Sequence, residues 1–143
     1  IARAYLIKIN FLPPGEKHLL KIDPDRLKIA IANLIDNAIR YNVKNGTVTI
    51  AIERLPNQPF LKISVSDTGI GIPETDRTKI FAKFFRGTNV TQLEPNGSGL
   101  GLYITQNIVA RHGGKLGFES NLNRGTTFWF TLPTETKPIP SEN

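Results

Sequence analysis

The segment from residue 60 to residue 67 alternates apolar with polar residues, Leu61, Ile63 and Val65 against Lys62, Ser64 and Ser66. A period of two is typical of a β-strand with one buried face. Residues 47–55 predict a second strand, joined to the first by a Pro-Asn-Gln-Pro link. The chain must therefore form a sheet that buries one face, and other elements must cover it.

Helical patterns supply that cover. Asp23 or Asp25 can cap a helix that has Pro24 in its first turn and continues to about Tyr41. A second, shorter helix is expected from Pro73. It carries four large apolar residues, Ile80, Phe81, Phe84 and Phe85. A third helix begins at a glycine-rich segment and ends at Arg111.

The remaining segments complete a mixed order of elements. Strand-like stretches at residues 4–11 and 18–22 flank a turn, residues 87–99 predict a mobile loop, and residues 115–120 and 126–132 predict a closing hairpin. The order β-β-α-β-β-α-α-β-β indicates an α+β fold. We expect a two-layer α/β sandwich with a mixed, mostly antiparallel sheet and about three helices on one face. Residues 1–133 form one domain, and residues 134–143 are expected to be a disordered tail.

Composition limits the classes of protein to consider. With 39% hydrophobic and 21% charged residues, the chain of 143 residues is suited to a globular fold. The net charge of +6 suits an anionic partner, which could be nucleic acid, membrane or a polyphosphate nucleotide. The absence of cysteine excludes disulfides, and no apolar run is long enough for a membrane helix. Because the chain starts at Ile1 and contains no methionine, we expect it to be part of a longer protein.

A carboxylate and two glycines follow the alternating strand directly, in the run DTGIGIP at residues 67–73. A carboxylate in this position can accept a hydrogen bond from an exocyclic amino group, and glycines let a flat ring approach the backbone. Guanine would present a carbonyl oxygen to Asp67, so that two acceptors would face each other. The segment therefore favours adenine, with a plain strand-to-helix turn as the alternative.

A second glycine-rich run, GSGLGL at residues 97–102, opens the third predicted helix. Free N–H groups and the positive end of the helix dipole favour an anion such as phosphate. The run lacks the lysine of a P-loop and follows no strand, so neither the Walker nor the dinucleotide-binding fingerprint applies. A flexible hinge is the alternative interpretation.

Two amides, Asn33 and Asn37, lie four residues apart on one face of the first helix. The apolar neighbours predicted around them are Ile29, Ala30, Leu34 and Ile39, and the predicted solvent side is Lys28, Ala32 and Asp36. A carboxamide oxygen is a suitable ligand for Mg²⁺, which takes further ligands from water and nucleotide phosphates, so Asn37 is the metal candidate. Hydrogen bonds to nearby backbone are the alternative.

Together, these segments resemble the ATP-binding domain of sensor histidine kinases, part of a superfamily that includes the gyrase, heat-shock and mismatch-repair ATPases. NLIDNAIRYN resembles the N box, DTGIGIP the first glycine box, FAKFFRG the phenylalanine box and GSGLGL the second glycine box. GGKLGFES and GTTFWFTLP resemble the closing hairpin. The resemblance extends to about Pro133 and implies the Bergerat ATP-binding fold.

The resemblance also implies ATP and Mg²⁺ as cofactors and a role for each matching residue. Asp67 would bind the adenine amino group, with Gly71 close by, and Thr126 would support it through its hydroxyl. Tyr41 would lie along the base or ribose, and Asn37 would hold Mg²⁺. Asn33 and Arg40 would border the phosphates, and Arg86 would neutralise charge on the transferred phosphoryl group. The other implied binding positions are in the glycine boxes: Gly69, Ile72, Gly97, Gly99, Leu100, Gly101 and Leu102.

One position distinguishes the histidine kinases from their relatives. ATPases and serine kinases of the superfamily carry a glutamate four residues before the metal-binding Asn, where this chain has Asn33. An amide is not a useful general base near neutral pH, so the acceptor is expected to be a histidine from another domain. His18 and His112 lack an acidic neighbour of the phosphoacceptor type. We therefore expect ATP binding without autophosphorylation.

The resemblance thus predicts transfer of the γ-phosphoryl group of Mg-ATP to a histidine on an upstream dimerisation domain, in two-component signalling. Expected partners are that domain, a second copy of the parent chain in a homodimer, and a response regulator. Neither nucleic acid nor membrane is expected to contact this domain, which is expected in the cytoplasm. The alternatives are an ATPase or serine kinase of the same superfamily and a nucleotide-sensing module without catalysis.

Overall fold

A computed structural model of the chain describes residues 8–12, 20–82 and 100–134, with residues 9–12 described by their backbone. Its strands are β1 (Lys8–Leu12), β2 (Thr47–Arg54), β3 (Phe60–Asp67), β4 (Leu116–Asn121) and β5 (Gly125–Pro133). The helices in the described ranges are α1 (Pro24–Arg40), α2 (Gly101–Arg111) and a 3-10 helix (Glu74–Asp76). Neither α-helix combines the length and apolar character needed to cross a bilayer.

The five strands form one sheet in the order β1-β2-β3-β5-β4. β1 pairs with β2 in parallel, and the other three pairs are antiparallel. This arrangement confirms the prediction of a mixed, mostly antiparallel sheet. Because β1 and β2 are parallel, the chain returns between them through α1, which is a crossover connection.

One predicted strand is wrong in its described part, residues 20–22. Residues 20–22, in the second half of the strand expected at 18–22, belong to no strand. They lead directly into α1, whose N-cap Asp23 accepts a hydrogen bond from the N–H of Arg26 at 3.3 Å. The parallel crossover takes the place of the second expected strand, and residues 20–22 pair with no strand in the described ranges.

The core lies between one face of the sheet and the two α-helices. Buried alternate residues of the central strands include Leu61, Ile63 and Val65 of β3 and Phe128, Phe130 and Leu132 of β5. They pack in one cluster with residues of α1 and with Val109 of α2. The two-layer arrangement with helices on one face is therefore confirmed. Phe81 joins this core through edge contacts with Phe118 and Phe128.

Helix α1 follows its predicted bounds, with Tyr41 as C-cap, but one of the apolar neighbours expected around the amides is exposed. Ile29, predicted to lie beside the two amides, is 48% exposed. At 100° per residue, Ile29 lies close to the exposed Asp36 and opposite the buried stripe that contains Leu34 and Ala38. The predicted solvent side, Lys28, Ala32 and Asp36, is exposed.

The helix predicted from Pro73 is, as far as Ala82, only a short 3-10 helix at Glu74–Asp76. The chain instead forms the 3-10 helix and further turns, in which Lys79 N–H donates to Asp76 O and Ala82 N–H donates to Lys79 O, each at 2.9 Å. Pro73 provides no side-chain cap. The Arg77 guanidinium bonds to the carbonyl oxygens of Ile72 and Ser120, which holds the segment back against β4. Bonds of the i to i+3 type tighten the turn.

Several predictions lie outside the described residues. They concern the strand residues 4–7, His18, Phe84 and Phe85, the loop at 87–99 and the tail residues 135–143. The last described residue, Thr134, donates its N–H to Pro59 O at 2.8 Å and continues the register of β5 beside β3.

Candidate functional site

Asp67 is the last residue of β3, and its carboxyl group is held by two backbone donors. Gly69 N–H donates to Oδ1 at 2.8 Å, and Thr126 N–H donates to the same oxygen at 3.1 Å. Oδ2 has no hydrogen bond within the described part of the chain. It is also not one of the fully buried, unpaired side-chain atoms there, which are Asp76 Oδ2 and Thr134 Oγ1. One carboxyl oxygen is therefore fixed by the protein, and the other is available to a ligand.

The electrostatics of this carboxyl group are unusual. Burial raises the pKa of Asp67 from 3.8 to about 6, although the N–H groups of Gly69 and Thr126 act in the opposite direction by stabilising the charged form. Removal of water from the carboxylate is thus the dominant cause. Carboxyl groups with strongly shifted pKa values are common at functional sites, where burial and nearby charges are arranged around the reacting groups. The raised pKa of Asp67 therefore supports its choice as a site residue.

The loop after Asp67 packs on the turn between β4 and β5. Asn123 N–H donates to Ile70 O at 2.7 Å, and Ile72 N–H donates to Ser120 Oγ at 2.8 Å. Gly71 has φ +75, and a Cβ there would collide with the carbonyl oxygen of Asn121. Only glycine meets both requirements at position 71 without strain. The first glycine box is therefore shaped by the closing hairpin.

The same loop is anchored on its other side by the end of α1. Ile70 N–H donates to Tyr41 O at 3.0 Å, and a Cβ on Gly69 would collide with that same oxygen. Buried Asn42 accepts a bond from the Thr68 hydroxyl at 2.9 Å and donates to Thr47 O at 2.9 Å. The structure thus brings the predicted Tyr41 and Asp67 segments together, through backbone and through Asn42.

Asn33, one of the two predicted amides, connects α1 to the start of α2. Its Nδ2 donates to Gly101 O at 3.3 Å and to Thr105 Oγ1 at 3.4 Å. Thr105 is fully buried and donates its own hydroxyl hydrogen to Gly101 O at 2.9 Å. The predicted Asn33 and Gly101 are therefore in contact, with Leu100 as N-cap of α2 and Leu102 packed against the core.

Asn37 lies on α1 between these two contact regions. Asn33 lies four residues before Asn37 and Tyr41 lies four residues after it. Each spacing corresponds to a rise of about 6 Å along the helix axis. Its carboxamide is partly buried and makes no hydrogen bond in the described structure. The alternative that both amides bond to nearby protein groups therefore applies to Asn33 and not to Asn37.

Two basic positions complete the predicted set. Arg40 forms an ion pair with Asp36, with Nε 2.8 Å from Oδ2, and has a further interaction. Arg86, Gly97 and Gly99 lie outside the described residues, so their predicted roles stay predictions. Thr126 differs in detail from expectation, because its backbone N–H contacts Asp67 while its hydroxyl lies 2.9 Å from Ser120 Oγ.

Sequence reasoning missed the residues that support the site. Ser120 is buried and bonds to Ile72 N–H, Gly125 O and the Thr126 hydroxyl. Arg77 and Asn42 similarly bridge segments that are distant in sequence. The available signal was weak: Ser120 occupies a buried position in β4, where an apolar residue would be expected.

His112 has no free ring nitrogen. Nε2 accepts the backbone N–H of Asp23 at 2.9 Å, and Nδ1 lies 2.8 Å from Ile108 O, which assigns the ring hydrogen to Nδ1. The ring therefore joins the end of α2 to the start of α1. Both ring nitrogens of His112 are thus engaged within the fold.

Comparison with known proteins places this chain in a family. Residues 22–136 match the family described as histidine kinase-, DNA gyrase B-, and HSP90-like ATPase. The adaptive-response sensory kinase SasA of Synechococcus elongatus is 41% identical over 127 residues, which are 89% of this chain and 32% of SasA. The chain thus spans about a third of the length of this relative.

Solved structures agree with the sequence match. Full-length ShkA in complex with AMPPNP has a TM-score of 0.79 at 28% identity, covering 97% of this chain and 28% of ShkA. The catalytic domain of the histidine kinase ThkA has a TM-score of 0.74 at 33% identity and covers 92% of this chain and 82% of that domain. ThkA in complex with response regulator protein TrrA matches with a TM-score of 0.72 at 32% identity, over 93% of this chain and 36% of that one. The chain therefore belongs to the family of histidine kinase-, DNA gyrase B- and HSP90-like ATPases, and it corresponds to the catalytic domain of a sensor histidine kinase.

Proposed function

We propose that the chain binds Mg-ATP and presents its γ-phosphoryl group to a histidine on a separate domain of the parent protein. The observation that carries this proposal is the state of Asp67, whose Oδ1 is held by two backbone N–H groups while Oδ2 is left for a ligand. A single acceptor in a poorly solvated position selects a donor such as the 6-amino group of adenine. Guanine offers a carbonyl oxygen there and is disfavoured.

Tyr41 and Gly71 are proposed to border the base. The carbonyl oxygen of Tyr41 fixes the loop through Ile70 N–H, and the lack of a side chain at Gly71 keeps that loop against the β4–β5 turn. Both contacts hold the Asp67 carboxyl in place before the nucleotide arrives. Preorganisation of this kind reduces the entropy lost on binding.

Asn37 is proposed as the protein ligand of Mg²⁺. The fit is favourable because its carboxamide is partly buried and makes no hydrogen bond to another described residue. It also lies on α1 between the two glycine-box contacts. One amide oxygen is a hard ligand of the kind that Mg²⁺ accepts beside water and phosphate oxygens. When bound, the ion supplies positive charge to the phosphate oxygens. Arg40, Arg86 and the start of α2 are proposed to supply the remaining favourable charge.

Asn33 favours a histidine kinase over an ATPase or a serine kinase. Its amide donates to Gly101 O and Thr105 Oγ1, so it ties α1 to α2 and has no group that can take a proton from water or serine. A histidine nitrogen carries a lone pair and needs no such base. The acceptor is proposed to lie on an upstream dimerisation domain of the parent chain, with the cytoplasm as the working compartment.

The proposed partners outside this domain follow from the relatives. ThkA has been solved in complex with response regulator protein TrrA, and we propose that the parent of this chain likewise serves a response regulator. A homodimeric parent is part of the same proposal. The domain itself is proposed to contact neither nucleic acid nor membrane.

The test combines binding with phosphoryl transfer. Calorimetric titration should give tighter binding of Mg-ATP than of Mg-GTP, and the chain alone should neither label itself nor hydrolyse ATP steadily. Addition of the parent's histidine-bearing helices and Mg-ATP should produce a phosphohistidine on those helices. Steady hydrolysis without phosphohistidine would favour the ATPase alternative, and binding without transfer would favour a nucleotide-sensing module.

A further inference from the structure

We propose that protonation of Asp67 converts the base-recognising carboxyl group from an acceptor into a donor, and thereby turns the preference of the pocket from 6-amino to 6-oxo purine nucleotides. This inference rests on the proposed function, since it concerns the same contact. It adds that the purine preference changes with the protonation state of Asp67 and is not fixed by the fold.

The position of that proton follows from the hydrogen bonds. Gly69 N–H and Thr126 N–H both point at Oδ1, at 2.8 and 3.1 Å. A proton on Oδ1 would have to share that oxygen with two donors that already occupy its lone pairs. The neutral carboxyl group therefore carries its hydrogen on Oδ2, which is the oxygen that faces a ligand. The protein thus keeps its own two bonds in either state, and only the ligand side changes character.

The ligand then experiences a reversal of polarity. Ionised Oδ2 accepts from the 6-amino group of adenine, whereas neutral Oδ2–H donates to the 6-carbonyl oxygen of hypoxanthine. In each mismatched combination, two acceptors or two donors face each other in a poorly solvated place, which is costly. Burial raises the pKa of Asp67 to about 6, so that both states are accessible under mild conditions.

Among the described residues, no other titrating group faces Asp67. Asp67 is faced by Val48 of β2, by Thr126 of β5 and by the backbone of Gly69, none of which titrates. The described ionisable side chains near this end of the sheet are Lys8, Tyr41, Lys44 and Arg124. None of them makes a hydrogen bond or ion pair with Asp67 in the described structure. The carboxyl group itself is the group that responds.

The Asp67→Asn variant provides a fixed copy of the neutral state. Its Oδ1 can accept the same two backbone N–H groups, which orients Nδ2 towards the ligand as a permanent donor. The variant is therefore expected to prefer inosine triphosphate (ITP) to ATP at every pH. Glu53→Gln, an exposed change on β2, serves as the matched control for removal of one carboxylate.

The experiment measures the dissociation constants of ATP and ITP, with Mg²⁺, from pH 5 to pH 7.5 by calorimetry. The two nucleotides have the same triphosphate, so phosphate titration cancels in the ratio of the constants. For the wild type and Glu53→Gln, the preference for ATP at pH 7.5 should fall by at least about tenfold at pH 5, because the competent fraction of Asp67 falls for ATP and rises for ITP. For Asp67→Asn the ratio should favour ITP and stay flat.

The outcomes distinguish a failure of the proposed function from a failure of the inference about protonation. If the wild type does not bind ATP at pH 7.5, the proposed function is wrong and the inference is lost with it. If ATP binds at pH 7.5 and the ratio is the same at pH 5, the proposed function survives and the inference is overturned. An Asp67→Asn domain that still prefers ATP would overturn it as well.

Discussion

The burial that suits Asp67 to recognise a base also disfavours its charged form. Recognition of a base needs a desolvated carboxylate, and desolvation raises the pKa of this group to about 6. The folded pKa lies above the unfolded value, so the stabilising contribution of the proton is fully present below about pH 4 and is lost as the pH rises through 6. The ionised site is therefore a source of instability in the nucleotide-free domain at neutral pH.

Asp67→Asn should accordingly stabilise the free domain at pH 7.5 by about 1 to 2 kcal/mol, since it removes the buried charge and keeps an acceptor for both N–H groups. At pH 4 the gain should disappear. Urea unfolding at both pH values measures the difference, with Glu53→Gln expected to stay within about 0.5 kcal/mol of wild type. A variant less stable than wild type at pH 7.5 would show that the two bonds to Oδ1 outweigh the desolvation of the charge.

Asn37→Ala tests the proposed metal ligand. Because this amide makes no hydrogen bond in the described structure, the variant should keep the wild-type unfolding free energy to within about 0.5 kcal/mol. ATP affinity in Mg²⁺ should fall by about tenfold or more, and affinity in EDTA should not change. Calorimetry with and without Mg²⁺ gives both values. An equal loss in both conditions would assign Asn37 to the nucleotide and not to the ion.

For single residues, the sequence indicates which side chain belongs to the site better than it indicates what surrounds that side chain. The position of Asp67 after an alternating strand was enough to propose it as a base-recognising carboxylate. Its bond from Thr126 joins residues 59 positions apart, and no local pattern contains that pairing. The raised pKa depends on the same long-range packing, so it could not be anticipated.

Among the elements, the β4–β5 hairpin does more than close the sheet. It holds the first glycine box through Ser120 Oγ, Asn123 N–H and Thr126 N–H. The Asp67 loop therefore lies between this hairpin and the end of α1. A change in the hairpin should weaken nucleotide binding without any contact to the nucleotide.

Ser120→Ala tests this support. The substitution leaves Ile72 N–H without its acceptor and removes the bonds to Gly125 O and the Thr126 hydroxyl. Loss of a buried hydrogen-bond partner should lower the unfolding free energy by about 1 to 3 kcal/mol, measured in urea. Ser64→Ala on β3, whose hydroxyl makes no hydrogen bond in the described structure, is the matched control and should change little. Equal effects of the two substitutions would contradict the supporting role.

The helices and strands were predicted well where the apolar periodicity was strong. The prediction failed where contacts with distant segments determine the local structure. α1 and strands β2 to β5 follow the expected bounds within one residue, and α2 ends at the expected Arg111. Residues 20–22 were expected as a strand, but they pair with none of the described strands and lead into α1, which connects β1 to the parallel β2. The segment after Pro73 has helical composition, yet Arg77 binds Ile72 O and Ser120 O and the turn stays tight.

In the whole molecule, three segments distant in sequence meet at one end of the sheet. They are the end of α1 around Tyr41, the end of β3 with its glycine loop, and the β4–β5 turn. α1 extends from this point to the start of α2, where Asn33 contacts Gly101. A single helix thus connects the predicted base-binding and phosphate-binding segments, with Asn37 between them.

The fold class and the order of the boxes were accessible from sequence because each box combines a pattern with a position along the chain. How the boxes touch was not, since α1, the glycine loop and the hairpin meet only through long-range bonds such as Ile70 N–H to Tyr41 O. The roles of Arg86, Gly97 and Gly99 still depend on the resemblance alone.

In the proposed site, a carboxylate at the end of β3 recognises the purine while an amide of α1 binds the metal ion of the same nucleotide. The most direct measurement is a crystal structure of the chain with Mg²⁺ and a non-hydrolysable ATP analogue. We expect Asp67 Oδ2 within hydrogen-bond distance of the adenine amino group and Asn37 Oδ1 in the coordination shell of Mg²⁺. An ordered nucleotide that contacts neither side chain would contradict the account.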